Sequence, residues 1–358
     1  MNTYGKEVYC RYYDCNRNEI PGSMYKSFIM QLATAKCARR EGAEYMSLSF
    51  TPTDIPPEPI PLIYRAYEKP VHELSVCVGP IYGKESKWLE IVEYVEHYRL
   101  IGATFFYFTF FNLNEYDRRI IDNYVRLGMA EVTTYQIEYR NPGWQFHLFQ
   151  TNECHQRSMY HSKWVANVDI DERLVYTGPF NFVEYLRLQD PEVVEFSLST
   201  TRVRKTDNLP EKYKNSSQLL SEMMFLKYNE TTETTFYNLK GIIRPEKVAI
   251  PFYHWSNRQL PGGKLQSIPK RIANIRHYRS TDKNMLNGKW QKLFNKYKVT
   301  RLESEFEKKL IDAVEKRVKY VYEHRIMRCE EISPGMLNYP REILNCRYAT
   351  DPPIPETD

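Results

Sequence analysis

From Glu73 onward, the hydrophobic and polar positions alternate between two rhythms. Leu74-Ser-Val-Cys-Val is a short β-rich run, after which Trp88, Ile91, Val92 and Val95 recur at helical spacing. The apolar aromatic run 103–111 suits a fully buried strand, and residues 115–127 carry Ile120, Ile121, Tyr124 and Leu127 on one helical face. Ala130-Glu-Val-Thr-Thr-Tyr reads as a third strand, 152–164 as a helix, and Val165-Ala-Asn-Val-Asp as a fourth strand. Strand and helix alternating in this way predict an α/β fold with a doubly wound, mostly parallel sheet. Beyond Asp190 the rhythm weakens into a loop-rich stretch at 202–221 and a strand-like Gly241-Ile-Ile-Arg-Pro. Residues 300–324 then form an amphipathic packing helix with Leu302, Phe306, Leu310, Val314, Val318 and Val321 on one stripe.

Residues 1–50 show no clear period, and Thr51-Pro-Thr-Asp-Ile-Pro-Pro-Glu-Pro-Ile-Pro reads as an extended connector. The expected division is an N-terminal region with that connector at 1–72, a main domain at 73–330, and a C-terminal tail at 331–358 that ends in a flexible proline-rich stretch. At 358 residues and 42% hydrophobic the chain has ample material for a core, which excludes a disordered protein. The 50 basic and 45 acidic residues leave a net charge of +5, which names no partner. A nucleic-acid binder is disfavoured, because the 29 tyrosines are spread along the chain and the basic stretch 264–279 brings no RNP or helix-turn-helix pattern.

No apolar run approaches the ~18 to 20 residues of a membrane span, so the chain reads as soluble, and its first residues lack signal-peptide features. Seven cysteines without a C-x-x-C pair favour disulfides over zinc and leave at least one thiol unpaired. With the sequons Asn215-Ser-Ser and Asn229-Glu-Thr they point to a secretory lumen.

The most informative segment is Ser162-Lys-Trp-Val-Ala-Asn-Val-Asp-Ile-Asp-Glu-Arg, in which a buried strand runs directly into Asp169, Asp171 and Glu172. Ligands of open parallel sheets sit beyond the carboxyl ends of the strands, where these side chains emerge. At a spacing of two in extended chain, Asp169 and Asp171 point the same way and can face one divalent cation, Mn²⁺ or Mg²⁺, bridging a diphosphate. The candidate counter-charges are Lys240 and Arg244, with His254 in Pro251-Phe-Tyr-His-Trp as a further ligand and His277 ranked below it. Arg157 and Tyr82 are candidate nucleotide contacts, Tyr82 because it follows the first strand. A lone Tyr82-Gly83-Lys84 is no phosphate loop, and the serine-hydrolase elbow is absent.

Five segments resemble glycosyltransferase family 92 when taken together in order. They are Glu73-Leu-Ser-Val-Cys-Val-Gly-Pro-Ile-Tyr-Gly, Trp88 through Glu96-His-Tyr, Gly102-Ala-Thr-Phe-Phe-Tyr-Phe, Ser162 to Arg173, and Ile242-Ile-Arg-Pro-Glu-Lys-Val. The resemblance spans about Tyr9 to Arg279 and looks most like the branch expanded in nematodes.

It implies a GT-A-like fold with the acidic D-x-D cluster at the end of a central strand, and a glycosyltransferase catalytic domain at 73–330. The implied reaction moves a hexose, typically galactose, from a UDP-sugar to a glycan or glycoprotein acceptor with inversion. A divalent metal, Mn²⁺ or similar, is implied at Asp169, Asp171 and Glu172, with His254 added from its position. Nucleotide-sugar contacts are expected from Tyr82, Arg157, Asp169, Lys240 and Arg244. Inversion needs a carboxylate base, for which Asp207 and Glu222 lie in the right part of the chain, and acceptor contacts are sought in the segment beginning Ser197-Leu-Ser-Thr-Thr-Arg. Family members are implied to be Golgi lumenal enzymes on a single-pass membrane anchor, which this chain does not show. The alternative is a catalytically inactive, glycan-binding relative.

Overall fold

The computed structural model describes residues 4–30, 34–65, 67–111, 113–135, 144–280, 292–323, 327–333 and 346–347. Two units emerge, Met1–Glu68 and Lys69–Asp358. In the first, strands β1 (Glu7–Tyr13), β2 (Tyr25–Phe28), β3 (Tyr45–Ser49) and β4 (Ile60–Pro61) make an antiparallel sheet in the order β2-β1-β3-β4. Among the described residues its apolar cluster is small, Cys10, Tyr12 and Ala43 with a few half-buried neighbours, and a Cys10–Cys37 disulfide supplements it. The proline-rich stretch is built into this unit, since Ser47 donates to the Pro57 carbonyl, Arg11 to those of Pro52 and Asp54, and Ile60–Pro61 is the edge strand.

The second unit opens with β5 (His72–Val78), α1 (Trp88–Ile101), β6 (Phe105–Phe110), α2 (Glu115–Arg126), β7 (Ala130–Thr134), α3 (Trp144–Ser158) and β8 (Ser162–Val168). The four strands are parallel in the order β7-β6-β5-β8, so the chain reverses direction across the sheet between β5 and β8. The period of two splits the side chains between the faces. Leu74, Val76, Val78, Phe106, Phe108, Trp164 and Ala166 pack in one core with α1 and α2, while Cys77, Phe105, Tyr107 and Val165 pack on the other with Cys154 of α3. Helices therefore cover both faces.

The sequence reading of a helix at 152–164 is displaced. α3 covers 144–158, Tyr160 takes a left-handed backbone that ends the turn, and Ser162–Trp164 already belong to β8.

The rest of the sheet corrects the expectation that it is mostly parallel. The chain continues through β9 (Glu172–Tyr176), α4 (Phe182–Arg187), β10 (Val193–Lys205), α5 (Ser216–Glu222), α6 (Met224–Lys227), β11 (Glu230–Thr231) and β12 (Thr235–Ile243). A hairpin of β13 (Val248–Pro251) and β14 (Ser256–Gln259) follows, then β15 (Lys264–Ser267), β16 (Ala273–Ser280), β17 (Lys298–Val299) and α7 (Ser304–Tyr322). β12 joins β8 antiparallel and β10 joins β12 antiparallel, while β15 and β16 lie parallel to β10 and β9 pairs antiparallel with β16. The sheet of eleven strands among the described residues is thus mixed. The segment expected to be loop from 202 lies partly in β10, where Ser199, Thr200, Thr201, Arg202 and Lys205 are buried, so the stretch sought for acceptor contacts is interior.

α1 is buried on almost every side between the sheet, α2 and α7. Its amino end is capped from a distance, since the Asp117 carboxylate accepts the N–H groups of Lys87 (2.8 Å) and Trp88 (3.1 Å), a favourable place for a negative charge. Gly102, at φ 108°, closes its other end in the left-handed conformation. Disulfides Cys77–Cys154 and Cys329–Cys346 complete the cysteine pairing, and Cys15 is the free thiol among the described residues. Most of the expected tail 331–358, including its proline-rich end, lies outside the described residues. No described helix is long and apolar enough to cross a membrane.

Candidate functional site

β8 ends at Val168 and the chain turns tightly through Asp169, Ile170 and Asp171 into β9, with the Glu172 N–H donating to the Asp169 carbonyl at 3.0 Å. The turn is braced from α1. Tyr94 donates to the Val168 carbonyl (3.0 Å), Tyr98 donates to the Glu172 carbonyl (3.2 Å) and accepts from the Leu174 N–H (3.1 Å), and His97 meets the Leu174 carbonyl (2.6 Å). Spacings of three and four along a helix bring these three side chains to one face. Arg173 braces the same turn through the Ile170 and Glu90 carbonyls.

Strand register then selects the neighbours. Because β9 and β16 pair antiparallel with Glu172 opposite His277, these two side chains share a face, and the Tyr278 N–H extends the ladder to the Asp171 carbonyl. His277 Nε2 lies 3.2 Å from Asp171 Oδ2, and its Nδ1 lies 3.5 Å from Glu172 Oε1. Ligand atoms of Asp171, Glu172 and His277 fall within 4.8 Å of one another, a set that could hold a metal ion. Two carboxylates and an imidazole suit a cation of the Mn²⁺ type.

The second group of contacts centres on Asp169. β12 pairs with β8 through Ile242 and Ala166, so two residues further along Lys240 reaches the end of β8. Its buried ammonium lies 2.7 Å from Asp169 Oδ2 and 3.0 Å from Glu172 Oε2. His147 Nε2, from α3, meets Asp169 Oδ1 at 3.0 Å. Gly79, which follows β5, leaves the space this carboxylate fills, as a Cβ there would stand 2.2 Å from Asp169 Oδ1.

Burial opposes ionisation of Asp169, but Lys240 and His147 outweigh it and hold the carboxyl well below the usual range. Burial likewise opposes ionised Asp171, and His277 brings it below its ordinary value. For Glu172 burial wins over Lys240 and raises the carboxyl. Lys240 and His277 are both raised, since their carboxylates outweigh the burial that disfavours a cation.

The other expected residues are placed as follows. His254 stands outside the metal-capable set; its Nδ1 faces the Leu239 carbonyl at 2.9 Å, and burial together with Lys240 lowers its pKa to about 4. Arg244 does not join Lys240. Four residues along the strand separate them, roughly 13 Å, and its guanidinium lies over the Trp164 ring at 4.4 Å. Arg157 is engaged with Glu153 and Glu131 and lies over Tyr107. Tyr82 is exposed just past β5. Asp207 and Glu222 share one cation, Lys227, at 3.4 and 2.8 Å.

Three site neighbours were not singled out from the sequence or were ranked low. His277 alternates with the buried Ala273 and Ile275, a period-two signal that the neighbouring arginines obscured. His147 precedes Cys154 by two helical turns, in the part of α3 that lies ahead of the expected start at 152. Lys87 lies among Glu90 (2.9 Å), Glu85 (3.4 Å) and the field of Asp171, and these carboxylates raise its pKa against burial.

The carboxylates gather where the parallel strands of this mixed sheet reverse their winding, the position at which open α/β sheets commonly take their ligands. A family model describing glycosyltransferase family 92 matches residues 72–319, and the chain belongs to that family. No curated protein matches the sequence.

Proposed function

We propose that this glycosyltransferase moves a hexose, galactose by family resemblance, from a UDP-sugar to a glycan acceptor with inversion, on a GT-A-like fold. The observation that supports it most is the convergence of Asp171, Glu172 and His277 beyond the carboxyl end of β8. These three would hold Mn²⁺ or another divalent cation, which when bound offsets charge on the diphosphate leaving group. Lys240 fixes Asp169 and Glu172 in position and offsets part of the negative charge that three carboxylates otherwise concentrate, and His147 adds a contact to Asp169. Tyr82 offers an exposed ring to the uracil base. Asp207 or Glu222 takes the proton of the acceptor hydroxyl, and exchange of each for its amide identifies which.

A secretory-lumen setting is supported by three disulfides and by the exposed sequon at Asn215. The reading of an inactive glycan-binding relative draws on Lys240, which already supplies an internal cation to two of the three carboxylates. Calorimetry of UDP binding tests the metal: affinity is expected to be higher with Mn²⁺ than with EDTA, and equal affinities contradict the proposed centre.

A further inference from the structure

The β13–β14 hairpin turns through Phe252, Tyr253, His254 and Trp255, between the paired residues Pro251 and Ser256. Four-residue hairpin loops are ordinarily built from small and polar residues that favour the turn. Here all four carry rings, and the loop contains no carboxylate, lysine or arginine. The rings form one contiguous cluster, with centroid separations of 4.3 Å for Phe252–Tyr253, 5.0 Å for Phe252–Trp255, 4.3 Å for Tyr253–His254 and 5.8 Å for His254–Trp255. Trp255 is its exposed member, at 44%, and the other three are half-buried.

The hairpin tip is anchored at three points, two of them beside the site. Tyr253 stacks on His147 (5.1 Å, 26°), the imidazole that meets Asp169. His254 meets the carbonyl of Leu239, the residue before Lys240. Ser256 donates its N–H (2.6 Å) and hydroxyl to the buried Glu195 carboxylate. Gly241 lies beside this contact, where a Cβ would stand 3.3 Å from Glu195 Oε1 and at an ordinary 3.5 Å from the His254 carbonyl oxygen.

An aromatic surface without acidic or basic chains other than His254, linked to Asp169 through Tyr253 and His147, matches one ligand chemistry. A pyranose ring presents a face of C–H groups with a slight positive charge, which the negative face of an aromatic ring attracts, and its hydroxyls remain in water. We infer that the β13–β14 hairpin tip is a stacking platform for a pyranose of the acceptor glycan, with Trp255 as its outer contact. This rests on the transferase reading. A donor sugar is tethered to its diphosphate at the acidic turn, whereas Trp255 is joined to Asp169 through the rings of His254, Tyr253 and His147, so its place suits a second saccharide.

The test is a binding measurement on the full chain with UDP and Mn²⁺ present. The probes are a panel of neutral oligosaccharides ending in galactose, glucose, N-acetylglucosamine, mannose or fucose. Wild type and Trp255→Phe are expected to bind at least one member within about threefold of each other, and Trp255→Ala about tenfold more weakly at an unchanged melting temperature. Equal affinity in wild type and Trp255→Ala, or no member bound by wild type, overturns the platform. Failure of the transferase reading is seen separately: a wild type that binds an oligosaccharide through Trp255 but does not bind UDP keeps the platform and loses the reaction.

Discussion

Glu93 on α1 is fully buried, accepts the Met224 N–H at 2.8 Å, and is pushed up to about 8 by burial, which Arg173 only partly offsets. Between its ordinary value of 4.5 and 8, the folded protein keeps a proton that the unfolded chain releases. Stability from this residue therefore falls as pH rises across that window and is level above it. Glu93→Gln keeps the acceptor and removes the titration. Its stability relative to wild type should grow by about 1.4 kcal/mol per pH unit between pH 5 and 8, as urea unfolding at each pH would show, and a constant difference would contradict it. At Gly79 the argument is steric. Gly79→Ala forces the Asp169 carboxylate away from Lys240 and His147. A loss of about 1 to 3 kcal/mol and weaker UDP binding are expected, and a melting curve that overlays wild type would refute the crowding.

At the scale of elements, Cys77–Cys154 ties β5 to α3 across 77 residues, and the same helix aims His147 at Asp169 and Gln150 at the Val78 carbonyl. Replacing both cysteines with alanine should cost about 2 to 5 kcal/mol and raise amide exchange along α3, while Cys15→Ser, at an exposed free thiol, should change neither. The parallel strands on this helix were legible because each is a short apolar run between helices of clear period, as in β5, α1 and β6. The antiparallel half was not. β10 is thirteen residues long and buries Glu195, Arg202 and Lys205 among its apolar positions, so it reads as polar loop although Ser256 and Glu85 meet Glu195 and Lys205 across the fold. For the site, the acidic turn was visible in sequence, but His277 and His147 come from β16 and α3, more than 100 and more than 20 residues away from Asp171, and only strand register and helix placement unite them.

For the molecule as a whole, the two sequons are not equivalent once folded. Asn215 is exposed and caps α5 through its side-chain oxygen, which leaves the amide nitrogen for a glycan. In the second sequon Thr231 is buried, with its hydroxyl bonded to the Lys298 carbonyl and reached by Thr300. Material from a secretory host should carry glycan at Asn215 and not at Asn229; peptide mass spectrometry finding the reverse would contradict this assignment. The central claim concerns the acidic turn as a metal-assisted transfer site. Its most direct test is UDP release from a panel of UDP-sugars, with Mn²⁺ or EDTA, by wild type and Asp171→Asn. Wild type is expected to release UDP from at least one donor only with Mn²⁺, and Asp171→Asn to be slower by roughly a hundred- to a thousand-fold, with its melting temperature within a few degrees of wild type. Release that is unaffected by EDTA or by Asp171→Asn, or no release from any donor, would contradict the account.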